Sequence, residues 1–342
     1  MKVMITAALN AVHFQLTRSC NLRCRMCGQW GIHGYQREHA AETELGRTDW
    51  ERIIGELTPP MNITLWGGEP LLAPYCIDIA RLLKRRGFST SIVTNGVLLK
   101  KHAPEMKDLF TTLFVSVDGS APIHDMVRGV AGTFARVDEG IRTVREVLPG
   151  QKLCIKTTLV RENLNDLAVL APHIRAWKAD HWSLDAQMFL SGPRKERYEE
   201  FERSIGVAHA SSISWKDEFS PGYGVLVSDT VQKLIAANGD LPIQLGGHAM
   251  TVEDIVEWFD SPDKDIVDHH CYAPWRRLSI QSNGNTSFCL DITDGSIGNV
   301  REHAVEEIFR SEKAERFRTA VMNGENPACI RCVWKRHTMA YR

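Results

Sequence analysis

Cys20, Cys24 and Cys27 stand together in the run T-R-S-C-N-L-R-C-R-M-C-G, separated by three residues and then by two. Thiolates so closely spaced can hold an iron-sulfur cluster from one loop, because each sulfur must reach a different iron corner. Three ligands on a four-iron cubane leave the fourth iron without a protein ligand, and that open iron is the chemically useful one. Neither the bacterial nor the plant ferredoxin spacing fits, since each supplies a fourth cysteine. Two other chemistries compete. Zinc takes four ligands, and His33 or His39 could complete such a set. A disulfide needs an oxidising compartment, and the N-terminus lacks the pattern of a secretory signal.

Four more cysteines lie far downstream: Cys271, twelve residues, Gly284, four residues, Cys289, and then the C-x2-C pair Cys329 and Cys332. A structural zinc held by four thiolates is one reading of that set. An iron-sulfur cluster is the other. The remaining two of the nine cysteines, Cys76 and Cys154, are isolated and can serve as small apolar core residues.

Between the two sets lie short polar motifs. Gly67-Gly68-Glu69-Pro70 follows an apolar run; glycines permit close backbone approach, and Pro70 fixes the turn. Asn95-Gly96 is a turn dipeptide. Ser116 and Asp118, two apart, would share one face of a strand. Arg128 offers a planar fork for a carboxylate.

C-N-L-R-C-R-M-C followed by W-G-G-E-P resembles the radical S-adenosylmethionine (radical SAM) enzymes. The resemblance implies that the open iron chelates the amino and carboxylate groups of SAM. One electron from the reduced cluster then cleaves SAM to methionine and a 5'-deoxyadenosyl radical. It further implies that Glu69 receives the SAM ammonium and that Gly67, Gly68 and Pro70 shape that loop. Asn95 would lie near the ribose, Ser116 and Asp118 would face SAM as S-x-D-G, and Arg128 would take the SAM carboxylate. Many members have an aromatic residue where this chain has Met26, which would meet the adenine mainly through its backbone. The C-terminal cysteines resemble the twitch domain, the shortened relative of the SPASM domain, and imply one auxiliary 4Fe-4S cluster on Cys271, Cys289, Cys329 and Cys332. Ten residues without a further cysteine follow Cys332, so a second auxiliary cluster is not expected. His269, His270 and His337 lie close enough in sequence to substitute as ligands.

Positioning these motifs is the task of alternating β and α patterns. Strand-like runs over 12–17, 62–66, 89–94, 112–117, 152–159 and 182–189 alternate with amphipathic helical runs, as in βα units on a parallel sheet. Thr48 with Glu51 suggests a capping box, Gly87 a helix C-terminus, and Thr133 and Asn165 two further helix starts. Six such units are too few for a closed eight-stranded barrel. The expected fold is therefore α/β, a partial (β/α)6 barrel with a small C-terminal α+β domain for the auxiliary cluster. The expected organisation is 1–190 for the barrel, 191–270 for a linker that contacts substrate, and 271–342 for the auxiliary domain. Ligands of parallel α/β sheets bind at the carboxyl ends of the strands, and each motif above falls at such an end. On the fifth and sixth strands Cys154, Lys156 and Thr158 share a face, as do Asp185 and Gln187. If these face the lumen they would line the substrate pocket, with Cys154, Asp185 and Gln187 the candidate catalytic side chains. In the C-terminal part a hairpin is expected across Asn283-Gly284, followed by one helix over 305–321.

Composition narrows the class of partner. The 342 residues are 43% apolar and 24% charged with a formal net charge of -1, an ordinary globular balance. No basic stripe is present to neutralise a phosphate backbone, so no nucleic acid partner is expected. No stretch approaches the roughly 18 apolar residues of a membrane span. Cysteines without a secretion signal suggest a reduced, cytoplasmic compartment. The implied cofactors are SAM and two 4Fe-4S clusters, with flavodoxin or ferredoxin as electron donor. The first strand begins near Val12, which points away from a preceding peptide-recognition domain and toward a small polar metabolite, with a peptide as the other substrate class. The expected reaction is hydrogen abstraction from carbon with net oxidation. Epimerisation or modification of a ribosomal peptide is the alternative, and a non-catalytic iron-sulfur or zinc scaffold is a third reading.

Overall fold

The computed structural model describes residues 7–31, 34, 43–206, 217, 219–246, 250–264, 271–289 and 296–332. His33, His39, His269, His270 and His337 lie outside them. Among the described residues ten strands form one sheet in the order β10-β9-β8-β1-β2-β3-β4-β5-β6-β7. The six expected strands are β1 (Ala11–Thr17), β2 (Asn62–Gly67), β3 (Ser89–Thr94), β4 (Thr112–Ser116), β5 (Leu153–Leu159) and β6 (His181–Ala186). All pair in parallel with their neighbours. A seventh, β7 (Ile243–Leu245), extends the far edge in parallel with β6. At the other edge β8 (Arg277–Ile280) runs parallel to β1, then turns back through β9 (Asn285–Ser287) and β10 (Gly298–Asn299). The sheet thus takes strands from all three sequence segments, and the C-terminal hairpin extends the barrel sheet itself.

Alternation sorts the strands. Val12, Phe14 and Leu16 of β1, Ile63 and Leu65 of β2, Leu113 and Val115 of β4, and Trp182 and Leu184 of β6 are fully or almost fully buried. Against this core pack α1 (Arg47–Glu56) through Trp50, Ile53 and Ile54, α2 (Cys76–Arg85) through Ile79, Ala80 and Leu83, and α5 (Thr133–Val147) through Val137, Ile141 and Val144. Shorter α3 (Leu99–His102) and α4 (Ala121–Arg128) precede α5, and α6 (Leu167–Ala176) connects β5 to β6. The middle segment contributes α7 (Gly192–Ser204), α8 (Tyr223–Ala237) and α9 (Val252–Asp260), and the C-terminal part α10 (Val305–Phe309) and α11 (Glu312–Met322).

Several local expectations shift. α1 starts from Gly46, two positions before the expected Thr48, and only half of a capping box forms: Asp49 accepts the Gly46 N–H at 2.8 Å, while Gly46 has no side chain to return the bond. Asp125 rather than Thr133 holds the start of α5, accepting from Gly132 N at 2.5 Å and Phe134 N at 2.8 Å. α6 begins after Asp166 without a side-chain cap from Asn165. The expected single helix over 305–321 is two, because the Ser311 hydroxyl accepts the Ala314 N–H and starts a new helix there.

Candidate active site at the carboxyl ends of the strands

The loop after β1 is clamped from two sides. Gly68 N donates to Thr17 O and Glu69 N to Ser19 O, both at 2.8 Å. This prolongs the β1–β2 pairing past the strand ends. A Cβ on Gly67 would lie 2.3 Å from Thr17 O, and one on Gly68 2.2 Å from Ser19 O. The glycines are therefore needed for the approach of one backbone to another, beyond any approach to a ligand. On the other side Arg23 N donates to Arg128 O and Arg25 N to Val127 O, both at 3.0 Å. The cysteine loop is thereby sewn to the last turn of α4.

A cavity of about 210 Å³ opens between these walls. Cys20, Cys24 and Cys27 line it, with Met26, Trp30, Trp66, Gly67, Gly68, Thr94, Asn95, Ser116 and Arg128 around them. The three thiols are its only metal-ligating side chains among the described residues. Burial pushes the Cys20 thiol up to about 11 and that of Cys24 to about 12, and raises Cys27 as well. Such thiols stay protonated unless a metal captures the thiolate. Backbone N–H groups already point at two sulfurs, Leu22 N at Cys20 (3.4 Å) and Gln29 N at Cys27 (3.3 Å). Among the described residues no three His, Cys, Asp or Glu side chains converge as a single-ion site requires. Three thiols presented by one short loop suit a cubane, in which each thiolate meets a different iron. Cys20, Cys24 and Cys27 would hold an iron-sulfur cluster at the cavity wall.

Two expected contacts are placed elsewhere. Glu69 is fully buried and is not a cavity wall. Its Oε1 accepts from Thr94 Oγ1 (2.7 Å) and Leu71 N (3.1 Å), and its Oε2 from Asn95 N (2.7 Å). It braces the two loops that present Thr94 and Asn95. Burial lifts its carboxyl to about 7 against the pull of those donors. Pro70, buried, opens the 3-10 turn Pro70–Leu72 behind the same loop.

β4 ends at Ser116, two residues short of Asp118. Ser116 is a cavity wall, whereas Asp118 is fully buried, with Oδ2 2.6 Å from Arg128 Nε and Oδ1 accepting from Thr158 N at 2.9 Å. Held in this way, Arg128 points Nη1 at Cys24 Sγ, 3.7 Å away. Asn95 lines the cavity, and its Nδ2 donates to Asn21 Oδ1 at 2.8 Å. Trp30 and Trp66 are walls that motif reading missed; Trp66 sits directly before the glycine pair, which was the available signal.

Deeper in the sheet the register sets Ser116 beside Lys156 and Lys156 beside Ser183. Neighbours in register point to the same face, so Cys154, Lys156 and Thr158 share the face on which Ser116 meets the cavity. Lys156 Nζ pairs with Asp185 Oδ2 at 2.7 Å, and Ser183 Oγ donates to Asp185 Oδ1 at 2.9 Å. Cys154 is buried, and burial raises its thiol to about 11. Gln187 lies beyond the end of β6, where its Nε2 donates to Asp217 Oδ2 at 3.0 Å. The structure thus groups Cys154 and Asp185 and leaves Gln187 outside that group.

In the C-terminal part Cys271 precedes the 3-10 turn Ala273–Trp275, and Cys289 follows β9. Cys329 lies in the turn Pro327–Arg331, and Cys332 ends it. Arg331 is buried between them and donates from Nη1 to Lys264 O at 2.8 Å, tying this turn to the segment after α9.

Comparison with known proteins bears on this arrangement. Residues 14–171 match the model of the radical SAM superfamily, and residues 271–333 match the SPASM iron-sulfur cluster-binding domain. An AdoMet-dependent heme synthase of Methanosarcina barkeri is 33% identical over 175 residues, 48% of this chain and 47% of that protein, so the chain spans about half the length of this relative. The tungsten-containing aldehyde ferredoxin oxidoreductase cofactor-modifying protein of Pyrococcus furiosus is 25% identical over 94% of this chain and 86% of its own. Streptococcus suis SuiB bound to precursor peptide SuiA superposes with a TM-score of 0.65 at 16% identity, covering 92% of this chain and 67% of that one, and so shares the fold. No helix among the described residues is long and apolar enough to cross a membrane. With the three-thiol cavity at the strand ends and both matches in place, the chain carries a radical SAM domain over 14–171 and a SPASM iron-sulfur cluster-binding domain over 271–333, with SAM and 4Fe-4S clusters as the cofactors of those domains.

Proposed function

We propose that Cys20, Cys24 and Cys27 hold the SAM-binding cluster and that the enzyme abstracts hydrogen from carbon of a peptide or small polar metabolite, with net oxidation. The observation that carries this reading is the cavity lined by three thiols and by no fourth ligating side chain among the described residues. The reduced cluster with SAM on its open iron supplies a 5'-deoxyadenosyl radical. Around it Met26, Trp30 and Trp66 exclude water, while Asn95 and Ser116 offer hydrogen bonds to the nucleoside side of the cavity. The substrate lies toward the lumen of β5 and β6, where Lys156, Asp185 and Ser183 supply polar contacts. Cys271, Cys289, Cys329 and Cys332 hold the auxiliary cluster, a one-electron acceptor for the product radical. A peptide gains support as substrate from the shared fold of SuiB, which was crystallised with its precursor peptide.

Anaerobic reconstitution with dithionite and SAM tests the assignment. The protein binds about eight irons per chain, two cubanes, and forms 5'-deoxyadenosine. The Cys20, Cys24 and Cys27→Ala triple variant keeps about half of that iron and forms none. A wild-type chain that saturates at about four irons and carries bound zinc would remove the auxiliary cluster. Turnover in heavy water separates the outcomes for substrate. Net oxidation leaves a product two electrons poorer with no solvent deuterium. An isomer that gains one deuterium, and loses that label in Cys154→Ala, would establish epimerisation through the Cys154 thiol instead.

A further inference from the structure

Arg128 is expected from its motif to act on SAM. Its surroundings point to a second role. The guanidinium is buried, its Nε is 2.6 Å from Asp118 Oδ2, and its Nη1 is directed at Cys24 Sγ at 3.7 Å. Asp118 is fixed by the Thr158 N–H on Oδ1, and its own N–H donates to Nδ1 of the buried His124 at 3.1 Å. The α4 end that carries Arg128 is bound to the cysteine loop through Arg23 N and Arg25 N. Gly129, at φ +72°, completes the contact, because a Cβ there would lie 2.3 Å from Arg23 O.

We infer that the Asp118–Arg128 pair sets the reduction potential of the SAM-binding cluster through the Arg128 contact to Cys24. Reduction adds negative charge to a cluster, and a buried cation beside a ligand sulfur favours the reduced form and raises the potential. The carboxylate behind the cation works in the opposite direction. Asp118 meets Arg128 at Nε, whereas Cys24 faces Nη1, so Asp118 orients the guanidinium and offsets part of its charge. Arg128 acts directly on the ligand and Asp118 is a positioning residue. The potential is therefore held between two opposed buried charges, in a region where weak screening makes each of them count.

The inference rests on Cys20, Cys24 and Cys27 being the cluster ligands, and the test separates the two claims. The reconstituted enzyme is titrated by EPR in the absence of SAM. The first cluster's signal is identified by its loss from the Cys20, Cys24 and Cys27→Ala triple variant. If no signal is lost there, the ligand assignment fails. With the signal assigned, Arg128→Met makes reduction about tenfold less favourable, a fall of about 59 mV for a one-electron couple. Asp118→Asn shifts the same signal upward, and the auxiliary cluster's potential stays where it was in both. Opposite signs are the mark of charge tuning, since a merely structural role would disturb both variants in the same sense. If Arg128→Met fails to load iron, Arg128→Lys takes its place; keeping the cation without the fork, it holds the potential near the wild-type value while Asp118→Asn still shifts it upward. A first-cluster potential that is unmoved in Asp118→Asn, or that moves in the same direction in both charge-removing variants, overturns the inference.

Discussion

An amide in place of the Glu69 carboxylate must aim its NH2 at a group that is itself a donor. Both oxygens are occupied as acceptors, from Leu71 N and Thr94 Oγ1 on one side and from Asn95 N on the other. A buried donor set against a donor costs about 1–3 kcal/mol. Glu69→Gln is therefore expected to lower the unfolding free energy by that amount, and to weaken SAM binding because Thr94 and Asn95 lose the brace that aims them. Urea unfolding of the apo-protein checks the first and equilibrium dialysis with SAM the second; an unchanged urea midpoint would rule out the bracing role. The W-G-G-E-P residues were legible in the sequence as a motif, but the job of the glutamate was not. Its partners Thr94 and Asn95 are twenty-five and twenty-six positions away, and such pairings exist only once the strands have been placed side by side. The same holds for Asp118, whose partners Arg128 and Thr158 lie ten and forty positions away.

At the scale of elements, two glycines around the α4–α5 turn offer a controlled comparison. Gly129 and Gly132 have nearly the same left-handed φ, +72° and +73°, so an Ala at either one carries the same backbone strain of about 1–2 kcal/mol. A Cβ at Gly132 meets nothing within 4 Å, whereas at Gly129 it runs into the Arg23 backbone at 2.3 Å. Gly132→Ala should cost about 1–2 kcal/mol in chemical denaturation and load iron normally. Gly129→Ala should cost more and also lose first-cluster iron, because the cysteine loop must move. Equal losses in the two variants would show that the clamp does not matter. Helix α7 carries a different liability, Glu202, which is buried and whose carboxyl is raised to about 8 by that burial. The folded chain therefore holds this proton well above the pH at which the unfolded chain releases it. Its contribution to stability is full below the unfolded value of 4.5 and is lost as the pH rises toward 8, at about 1.4 kcal/mol for each pH step of one between those two values. Glu202→Gln should flatten the fall in apo-protein stability between pH 5.5 and 8.5, as read from urea midpoints. Six strands were recoverable from apolar runs, since every second residue is buried in strands such as β3 and β4 and leaves a period of two. The seventh was not, being three residues at an edge with Gln244 at its centre. Helices α1, α2, α5 and α6 were legible from apolar periodicity, whereas α7, a run of charged residues, was not; the capping residues were missed, because capping by Asp49, Asp125 and Ser311 depends on which backbone groups the turn happens to leave open.

At the scale of the whole molecule, the C-terminal part completes the sheet that carries the first cluster. β8 covers the edge of β1, and Ala8 N and Asn10 N donate to Trp275 O and Arg276 O, both at 2.9 Å. Arg52 of α1 donates to Val300 O at 2.6 Å, and Glu56 accepts from Val305 N at 2.9 Å. β1 is the strand whose end launches Cys20, Cys24 and Cys27, so its edge pairing bears directly on the site. A chain ending at residue 270 would leave β1 as an open edge beside a stripped apolar face, an arrangement that invites pairing with another chain. It is expected to aggregate or to fail to load the first cluster. Replacing Cys271, Cys289, Cys329 and Cys332 by Ala together removes the proposed auxiliary ligands but none of these backbone pairings. That variant is expected to remain folded and to keep the first cluster. Size-exclusion chromatography with iron analysis on both proteins decides the point. If the shortened chain is monomeric and cleaves SAM as the full chain does, the hairpin is an appendage to the barrel. If only the cysteine variant does so, sheet completion and cluster binding are separate duties of the same seventy residues, roughly half a typical domain.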